Sequence, residues 1–124
     1  MDCLFCKIIK GDIPSNKVYE DDMILAFRDI APEAPCHVLV VPKEHIASAD
    51  EITKDNSAYV AHIFECIPEI ARLGGADNGY RVITNFGADA CQSVGHLHFH
   101  VIGGTQLPAH CFPENDGWPL RMIP

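Results

Sequence analysis

The sequence has few basic side chains and no run of them. Only 9 of its 124 residues are lysine or arginine, against 17 aspartates and glutamates, and the formal net charge is −8. Proteins that bind along a nucleic-acid backbone neutralise its phosphates with clustered basic residues. The composition therefore argues against a nucleic-acid partner. It still permits a single small nucleotide, which backbone N–H groups and a few side chains can hold.

The chain also lacks a long apolar segment. Met1-Asp2-Cys3 begins without the basic residues or the apolar stretch of a signal peptide, so we expect none. Residues 90–113 carry no formal charge, but their Gln, Ser, Gly and His residues exclude a membrane span. We expect a cytoplasmic protein with no membrane partner. Its hydrophobic content of 48% predicts one globular domain with a substantial core.

Closely spaced cysteines are rare as well. Of the six cysteines, only Cys3 and Cys6 are near each other in the sequence. In a cytoplasmic chain such a pair favours metal or redox chemistry over a disulfide. The remaining four are predicted to be small buried or semi-buried residues: Cys36, Cys66, Cys91 and Cys111.

Two segments have helical patterns. Residues 3–11 predict a short helix that ends at Gly11. Residues 53–73 predict a long helix that Gly74-Gly75 ends. We expect Pro68 to kink or break it, because proline removes a backbone hydrogen bond. The predicted apolar face of the long helix consists of Val60, Ile63, Phe64, Ile67, Ile70 and Ala71.

Strand patterns alternate with these helices and predict an α+β fold. About five strands should form an antiparallel sheet. We predict a domain that spans residues 1–106 and an irregular tail over residues 107–124. The predicted strands cover residues 18–20, 23–28, 37–41, 80–85 and 96–102.

The last predicted strand, His96-Leu97-His98-Phe99-His100-Val101-Ile102, is the most informative stretch of the chain. Side chains alternate between the two faces of a strand, so the three histidines should share one face while Leu97, Phe99 and Val101 enter the core. Three imidazoles in a row favour an active site over a solvated strand face. His98 is the best-placed nucleophile, because neighbours on both sides can orient it and carry protons.

This motif, followed by Gly103-Gly104, resembles the signature of the histidine triad superfamily of nucleotide hydrolases and transferases. Residues 3–106 resemble the branch of nucleotide-binding proteins that hydrolyse nucleoside phosphoramidates. That resemblance implies an α+β fold whose sheet joins the sheet of a second subunit in a homodimer. The matching segments are Tyr19-Glu20-Asp21-Asp22, Ala26-Phe27-Arg28-Asp29-Ile30, Ala34-Pro35-Cys36-His37, Pro42-Lys43-Glu44-His45, Gly79-Tyr80-Arg81 and Gln92-Ser93-Val94.

The resemblance implies a purine nucleoside phosphoramidase, which cleaves the P–N bond of nucleoside 5′-monophosphate amines. His98 would attack the α-phosphorus and form a nucleotidyl-histidine intermediate that water hydrolyses. His100 and His37 match positions that support the phosphate, although His37 alone also fits a structural histidine at the start of a strand. Ser93 would help to protonate the departing amine.

It also implies where a purine nucleotide of the AMP or GMP type would bind. Asp29 matches the residue that holds the ribose hydroxyls, although on its own it would be predicted to be a turn residue. Phe27 and Ile30 would line the base pocket. Cys91 stands where this branch usually has glycine, so a positive φ there would strain it. The predicted phosphate contacts come from Asn85, Cys91, Gln92, Ser93 and His100.

A metal site is predicted at the N-terminus. Two thiolates from Cys3 and Cys6 need two further nitrogen or sulfur ligands to complete a tetrahedron. Some members of the family with this pair add the histidines that match His45 and His96, which implies a structural zinc ion with no metal needed for catalysis. The alternative is a cysteine pair that binds no metal. His62 and His110 have no predicted partner and are expected to be structural or solvent-exposed.

Other functions remain open. A dinucleoside polyphosphate hydrolase or a nucleotidylyltransferase of the same superfamily would share His98 but differ in leaving group. A metal-dependent enzyme with a His-x-His strand would need a third ligand, commonly a carboxylate shortly downstream, and no acidic residue lies between Asp89 and Glu114. A nucleotide-binding regulator with vestigial catalysis fits as well.

Overall fold

The computed structural model describes residues 3–109, so His110, Cys111 and most of the predicted tail lie outside the described residues. Five strands form one antiparallel sheet in the order β1-β2-β3-β5-β4. The predicted α+β fold is confirmed, while the domain boundary and the joining of two sheets stay predictions. The elements are α1 (Leu4–Lys10), β1 (Lys17–Glu20), β2 (Ile24–Arg28), β3 (Cys36–Pro42), α2 (Ser57–Gly74), β4 (Tyr80–Ile83) and β5 (Phe99–Gly103).

Helix α1 is capped at both ends. The Cys6 backbone N–H donates to the Cys3 thiol over 3.3 Å, which satisfies one of the unpaired donors of the first turn. At the other end, Gly11 has a φ of 90° and its N–H bonds back to the helix. Glycine takes this left-handed conformation without strain, so the predicted stop at Gly11 is confirmed.

Helix α2 begins four residues later than predicted and passes through Pro68 without a break. Thr53 opens a turn instead, in which its N–H donates to the side chain of Asn56 over 2.7 Å. Proline leaves the carbonyl of Phe64 without a helical donor. Because both residues lie on the exposed side of the helix, water can bond that carbonyl, and the helix continues without a break, while the kink stays a prediction.

The buried face of α2 is the predicted one except at Phe64. Ile63, Ile67 and Ile70 are fully or almost fully buried. Phe64 lies at the flank of this stripe and is 50% exposed, with its ring packed edge-on against Phe99 at 5.5 Å. It therefore forms the exposed edge of the predicted apolar face.

The two helices cover opposite faces of the sheet. Leu97, Phe99 and Val101 pack in the core beneath α2, as predicted. The other face carries the histidines and a smaller cluster under α1. Pairing of β5 starts at Phe99, three residues later than predicted, because the N–H of Leu97 bonds to the carbonyl of Ile46 instead of a strand neighbour.

The cysteines of residues 3–109 are all free thiols. Cys36 is buried and Cys66 is half-buried, as predicted, whereas Cys91 is exposed and its predicted burial was wrong. Among the described residues, no helix combines the length and hydropathy that crossing a bilayer requires.

Candidate active site and metal centre

The three histidines of the row are buried on one face of the sheet. His96 and His100 are fully buried, and His98 is 2% exposed. Phe5 of α1 covers the row, with its ring centroid 5.0 Å from that of His98. The short N-terminal helix therefore forms one wall of the site.

Hydrogen bonding fixes the proton of His98. Its Nδ1 lies 2.7 Å from the backbone oxygen of His96. A carbonyl oxygen can only accept, so Nδ1 carries the proton and Nε2 of the neutral ring keeps its lone pair. Burial lowers the pKa of His98, against the opposing effects of that hydrogen bond and of the charge on Asp29. The ring is therefore neutral at pH 7 and has a free nucleophilic nitrogen.

His37 and His100 form a hydrogen-bonded pair beside this nucleophile. The backbone N–H of Glu33 donates to His37 Nδ1 over 3.0 Å, so the proton of a neutral His37 is on Nε2. That Nε2 lies 2.9 Å from His100 Nδ1, which must accept. The rings of His98 and His100 are 5.1 Å apart. Burial lowers the pKa of His37, which favours this neutral arrangement.

Asp29 joins the same group from the loop after β2. Its Oδ2 is 3.5 Å from His37 Nε2, while its Oδ1 accepts the N–H of Ala31 over 2.8 Å. The side chain thus acts as a turn residue and also faces the histidines. The structure brings together the predicted residues Asp29, His37, His98 and His100; their individual roles stay predictions.

The two predicted base-pocket residues have different surroundings. Phe27 is buried and packs edge-on against Phe5 at 5.6 Å. Ile30 is 100% exposed. A fully exposed, large apolar side chain is compatible with a binding site for a base. Both assignments stay predictions.

The loop between β4 and β5 is held by Gln92. Its Oε1 accepts the N–H of Gly87 over 3.2 Å, and its Nε2 donates to the carbonyls of Ala47 and Val94, both at 3.0 Å. A phosphate contact from this amide would have to replace one of these bonds. Ser93 is exposed next to it.

Cys91 has the positive φ that was expected to strain a residue other than glycine at this position. Its φ of 61° is the only positive one of a non-glycine residue within residues 3–109. Left-handed conformations cost residues with a Cβ roughly 1–2 kcal/mol. Its N–H bonds to the carbonyl of Ala88 over 3.1 Å. Asn85 lies two residues after β4, beside Thr84, whose hydroxyl donates to the carbonyl of His98 over 2.8 Å.

The four predicted metal ligands converge on one point. The ligand atoms of Cys3, Cys6, His45 and His96 all lie within 4.8 Å of one another. The sulfur of Cys6 is 3.3 Å from His45 Nδ1 and 3.6 Å from His96 Nδ1, and the sulfur of Cys3 is 3.4 Å from His96 Nδ1. Sulfur and nitrogen ligands of a tetrahedral zinc ion lie about 3.5 Å apart. This set fits such an ion.

The hydrogen bond at the far side of His96 supports the same interpretation. Its Nε2 donates to the carbonyl of Pro42 over 2.9 Å, so the lone pair on Nδ1 faces the two sulfurs. Metal-binding histidines almost always donate their other N–H to such an acceptor. Burial lowers the pKa of His96, and burial together with the neighbouring Cys3 raises the pKa of Cys6. A bound cation would offset that cost of ionising the thiol.

Asp29, His37 and His100 form a second group with metal-binding spacing. The carboxylate of a metal-dependent site was expected downstream of the histidine row, whereas the structure supplies one from the loop after β2. However, His37 Nδ1 accepts the Glu33 N–H, so the nitrogen that would bind a metal carries a proton instead. This group is better suited to moving a proton than to holding an ion.

A third group was missed. His62, for which no partner was predicted, contacts Asp21 over 2.6 Å, and Cys66 lies 3.6 Å from the same imidazole nitrogen. The contact agrees with the expected structural role of His62, although its partners were not predicted. The spacing His62-x-x-x-Cys66 places both side chains on one helix face and was the available sequence signal.

Comparisons with known proteins find similar sequences over most of the chain. A family model described as the C-terminal binding region of scavenger mRNA decapping enzyme matches residues 2–110. An uncharacterized HIT-like protein of Synechococcus elongatus is 46% identical over 106 residues, which cover 86% of this chain and 93% of that relative. A 14 kDa zinc-binding protein of Zea mays is 43% identical over 109 residues, which cover 84% of this chain and 83% of that protein.

Solved structures are similar over nearly the same span. A histidine triad protein from Clostridium difficile is 51% identical, has a TM-score of 0.84, and the match covers 89% of this chain and 96% of that one. A HIT family hydrolase from Clostridium thermocellum is 46% identical, with a TM-score of 0.85 and coverage of 90% and 97%.

Proposed function

Because this chain belongs to the histidine triad family, we propose that it is a hydrolase that cleaves the P–N bond of purine nucleoside 5′-phosphoramidates. The observation that carries the proposal is the tautomer of His98. Its Nδ1 proton is donated to the carbonyl of His96, which leaves Nε2 as an unprotonated nucleophile in a buried site. A neutral imidazole held in this way is activated for covalent catalysis.

The reaction has two balanced steps. His98 Nε2 attacks the α-phosphorus, a P–N bond to the imidazole forms, and the P–N bond to the amine breaks. The amine leaves with a proton that comes from solvent and that Ser93 helps to deliver. Water then attacks the same phosphorus and gives up a proton to solvent, the bond to His98 breaks, the nucleoside monophosphate is released and the free histidine is regenerated.

The remaining residues would position the substrate and its charge. Phosphoryl transfer depends mainly on positioning and electrostatic stabilisation. His100 and His37 supply a hydrogen-bonded pair next to the nucleophile, and Asn85, Gln92, Ser93 and the Cys91 backbone belong to the proposed phosphate site. Asp29 would hold the ribose, and Phe27 with Ile30 would hold a purine of the AMP or GMP type.

A structural zinc ion on Cys3, Cys6, His45 and His96 is part of this proposal. The sulfur-to-nitrogen distances and the His96–Pro42 hydrogen bond support it, as does the name of the maize relative. When bound, the ion would cross-link α1 to the segment that leads into β5. No metal takes part in the proposed chemistry.

We also propose a cytoplasmic homodimer. β4 is an edge strand of the sheet, and the large apolar side chains of Tyr80, Phe64 and Leu73 are 40%, 50% and 42% exposed. An exposed edge together with apolar side chains favours pairing with a second copy. Light scattering of the full chain should give twice the chain mass, and a monomer at micromolar concentration would contradict the proposal.

The reaction class is tested with an adenosine 5′-phosphoramidate ester. Amine release should occur with the wild-type chain, persist in EDTA, and disappear in His98→Ala. Glu69→Gln, which removes an exposed carboxylate from α2, is the matched control and should retain full activity. Turnover that survives His98→Ala would refute the nucleophile. Nucleotide binding without turnover in the wild type would favour the polyphosphate hydrolase, the nucleotidylyltransferase or the regulatory function.

A metal-dependent enzyme is the second candidate, and one observation favours it. Asp29, His37 and His100 have the composition and spacing of a two-histidine, one-carboxylate site. The protonated Nε2 of His37 argues against it. Loss of turnover in EDTA, restored by adding a divalent cation to the same sample, would establish this candidate over the first.

A further inference from the structure

A compact polar cluster lies on the opposite side of the sheet from the histidine row. We call it the hairpin–helix cluster; it consists of Tyr19, Asp21, His62 and Cys66. Asp21 is in the turn between β1 and β2, and His62 and Cys66 are four residues apart on α2. The ligand atoms of Asp21, His62 and Cys66 lie within 4.8 Å of one another. From these residues we infer that Asp21, His62 and Cys66 form a second metal site, for a divalent zinc-like cation.

The donor set suits such an ion. One thiol, one imidazole and one carboxylate are the three side-chain types that bind zinc. His62 Nε2 is 2.6 Å from Asp21 Oδ2 and 3.6 Å from the sulfur of Cys66. The distance to sulfur is already the one expected between two ligands of a tetrahedral zinc ion, about 3.5 Å. The shorter contact to Asp21 would open by several tenths of an ångström as an ion replaces the shared proton.

The orientation of each ligand is set by groups outside the cluster. Asp21 Oδ1 accepts the N–H groups of Met23 and Ile24 over 2.8 and 3.0 Å, which directs Oδ2 toward His62. His62 Nδ1 lies 3.7 Å from the carboxylate of Glu65, an acceptor on the side away from the cluster. A carboxylate behind a metal-binding histidine is the usual arrangement in such sites. His62 thus resembles His96 and differs from His37, whose outer nitrogen faces a donor.

The cluster is reachable from solvent. The side chains of His62 and Asp21 are 28% and 27% exposed, and Cys66 is half-buried. The Tyr19 hydroxyl donates to Asp21 Oδ2 over 2.9 Å and lies 3.6 Å from Cys66, so it would hold the carboxylate instead of binding the ion. Three protein ligands and one water would complete the coordination. The ion would fix α2 to the β1–β2 turn.

The test follows the reactivity of one thiol, because a thiolate bound to zinc is protected from alkylation. The full chain is treated with iodoacetamide with and without zinc, and the modification of each cysteine is followed by peptide mass spectrometry. At free zinc about ten times the dissociation constant, alkylation of Cys66 should slow about tenfold. His62→Gln and Asp21→Asn should each abolish the protection of Cys66 and leave that of Cys3 and Cys6 unchanged.

Two controls keep the result interpretable. Glu69→Gln, on the same helix and outside the cluster, should retain full protection of Cys66. Circular dichroism verifies that each variant is folded. If Asp21→Asn does not fold, the result for His62→Gln decides the test. Equal alkylation of wild-type Cys66 with and without zinc would overturn the proposal, and so would protection that persists in folded His62→Gln. The cluster would then be a hydrogen-bonded link only.

Discussion

His96 and His37 are both buried on the same face of the sheet, but the groups at their outer ring nitrogens differ. His96 donates its outer N–H to the carbonyl of Pro42, so its inner nitrogen presents a lone pair to two cysteines. His37 accepts the N–H of Glu33 at its outer nitrogen, so its inner nitrogen presents a proton to His100. A backbone acceptor behind His96 thus prepares that imidazole for a metal, and a backbone donor behind His37 prepares that imidazole for proton transfer.

The groups at the outer ring nitrogens of His98 and His62 also differ. The Nδ1 of His98 donates to a carbonyl, as the outer nitrogen of His96 does, but the lone pair of His98 is proposed to meet the substrate phosphorus. His62 has a carboxylate at its outer nitrogen and a thiol at its inner one. The backbone or side-chain group behind each imidazole therefore indicates which ring nitrogen keeps its lone pair. The following experiments test these assignments, and the last one tests a residue outside them.

The largest effect is expected at His98. His98→Ala removes the only proposed nucleophile, so turnover of an adenosine phosphoramidate should fall by roughly 10³-fold or more. Steady-state amine release at saturating substrate measures it. Loss of less than tenfold would mean that His98 orients the substrate and another group attacks.

Removal of zinc should cost stability without abolishing chemistry. A ligand at about 1,000 times its dissociation constant stabilises the folded state by about 4 kcal/mol. Cys3→Ser, or an exhaustive chelator, should therefore lower the melting temperature by about 15 °C. Calorimetry with and without zinc, together with elemental analysis of the protein, tests this. An unchanged melting temperature in protein freed of metal would contradict the assignment of His96.

His37 should affect the rate more than the stability. His37→Ala removes the donor to His100 Nδ1, and loss of one proton-transfer group costs about 10²-fold in kcat. In His37→Gln the side-chain amide reaches a position near Nε2 and restores part of that donor, so kcat should recover in part. Elemental analysis should find the same metal content in all three proteins. Loss of metal in a His37 variant would contradict the assignment of His96 to the metal site and of His37 to proton transfer.

The pH dependence should reflect neutral, buried histidines. Burial lowers the pKa of His98 and of His37, so kcat/KM should stay level down to about pH 6.5 and fall only below it. The unfolded chain takes up protons at about pH 6.5, so these two groups contribute their full stability above that pH and lose it as the pH falls toward their folded-state pKa values. A pH profile whose acid limb begins above pH 7 would contradict the neutral nucleophile.

The smallest effect is expected at Cys91. Cys91→Gly relieves the left-handed backbone strain but makes the unfolded chain more flexible, so the free energy of unfolding should rise by only about 0.5 kcal/mol. Denaturant unfolding measures this. Metal content and the pH profile should not change, because neither histidine assignment depends on this loop. Cys91→Val, with its branched side chain, should be destabilised instead.

Much of the fold was predictable because it depends on local patterns. The alternation at residues 96–102 placed Leu97 and Phe99 in the core, and Gly11 marked the end of α1. The start of α2 was missed because the turn at Thr53 satisfies its own backbone groups through Asn56. The exposure of Phe64 depends on the exact orientation of the helix on the sheet.

The site was only partly predictable, because its decisive contacts join distant parts of the chain. The family pattern identified His37 and Asp29, but their 3.5 Å approach arises from the loop after β2. The pairing of Asp21 with His62 requires α2 to lie against the β1–β2 turn, which no local pattern specifies. The tautomers of His96 and His98 depend on backbone carbonyls whose positions only the folded chain defines.

The most direct test of the central claim is to trap the intermediate. Metal-free protein is mixed with an adenosine phosphoramidate, quenched within milliseconds to seconds in alkali to preserve P–N bonds, and analysed by peptide mass spectrometry. We predict a transient nucleotidyl group on His98 that forms before free nucleotide and disappears as turnover ends. A nucleotidyl group on another residue, or turnover with no covalent adduct, would contradict the assignment of His98 as the nucleophile.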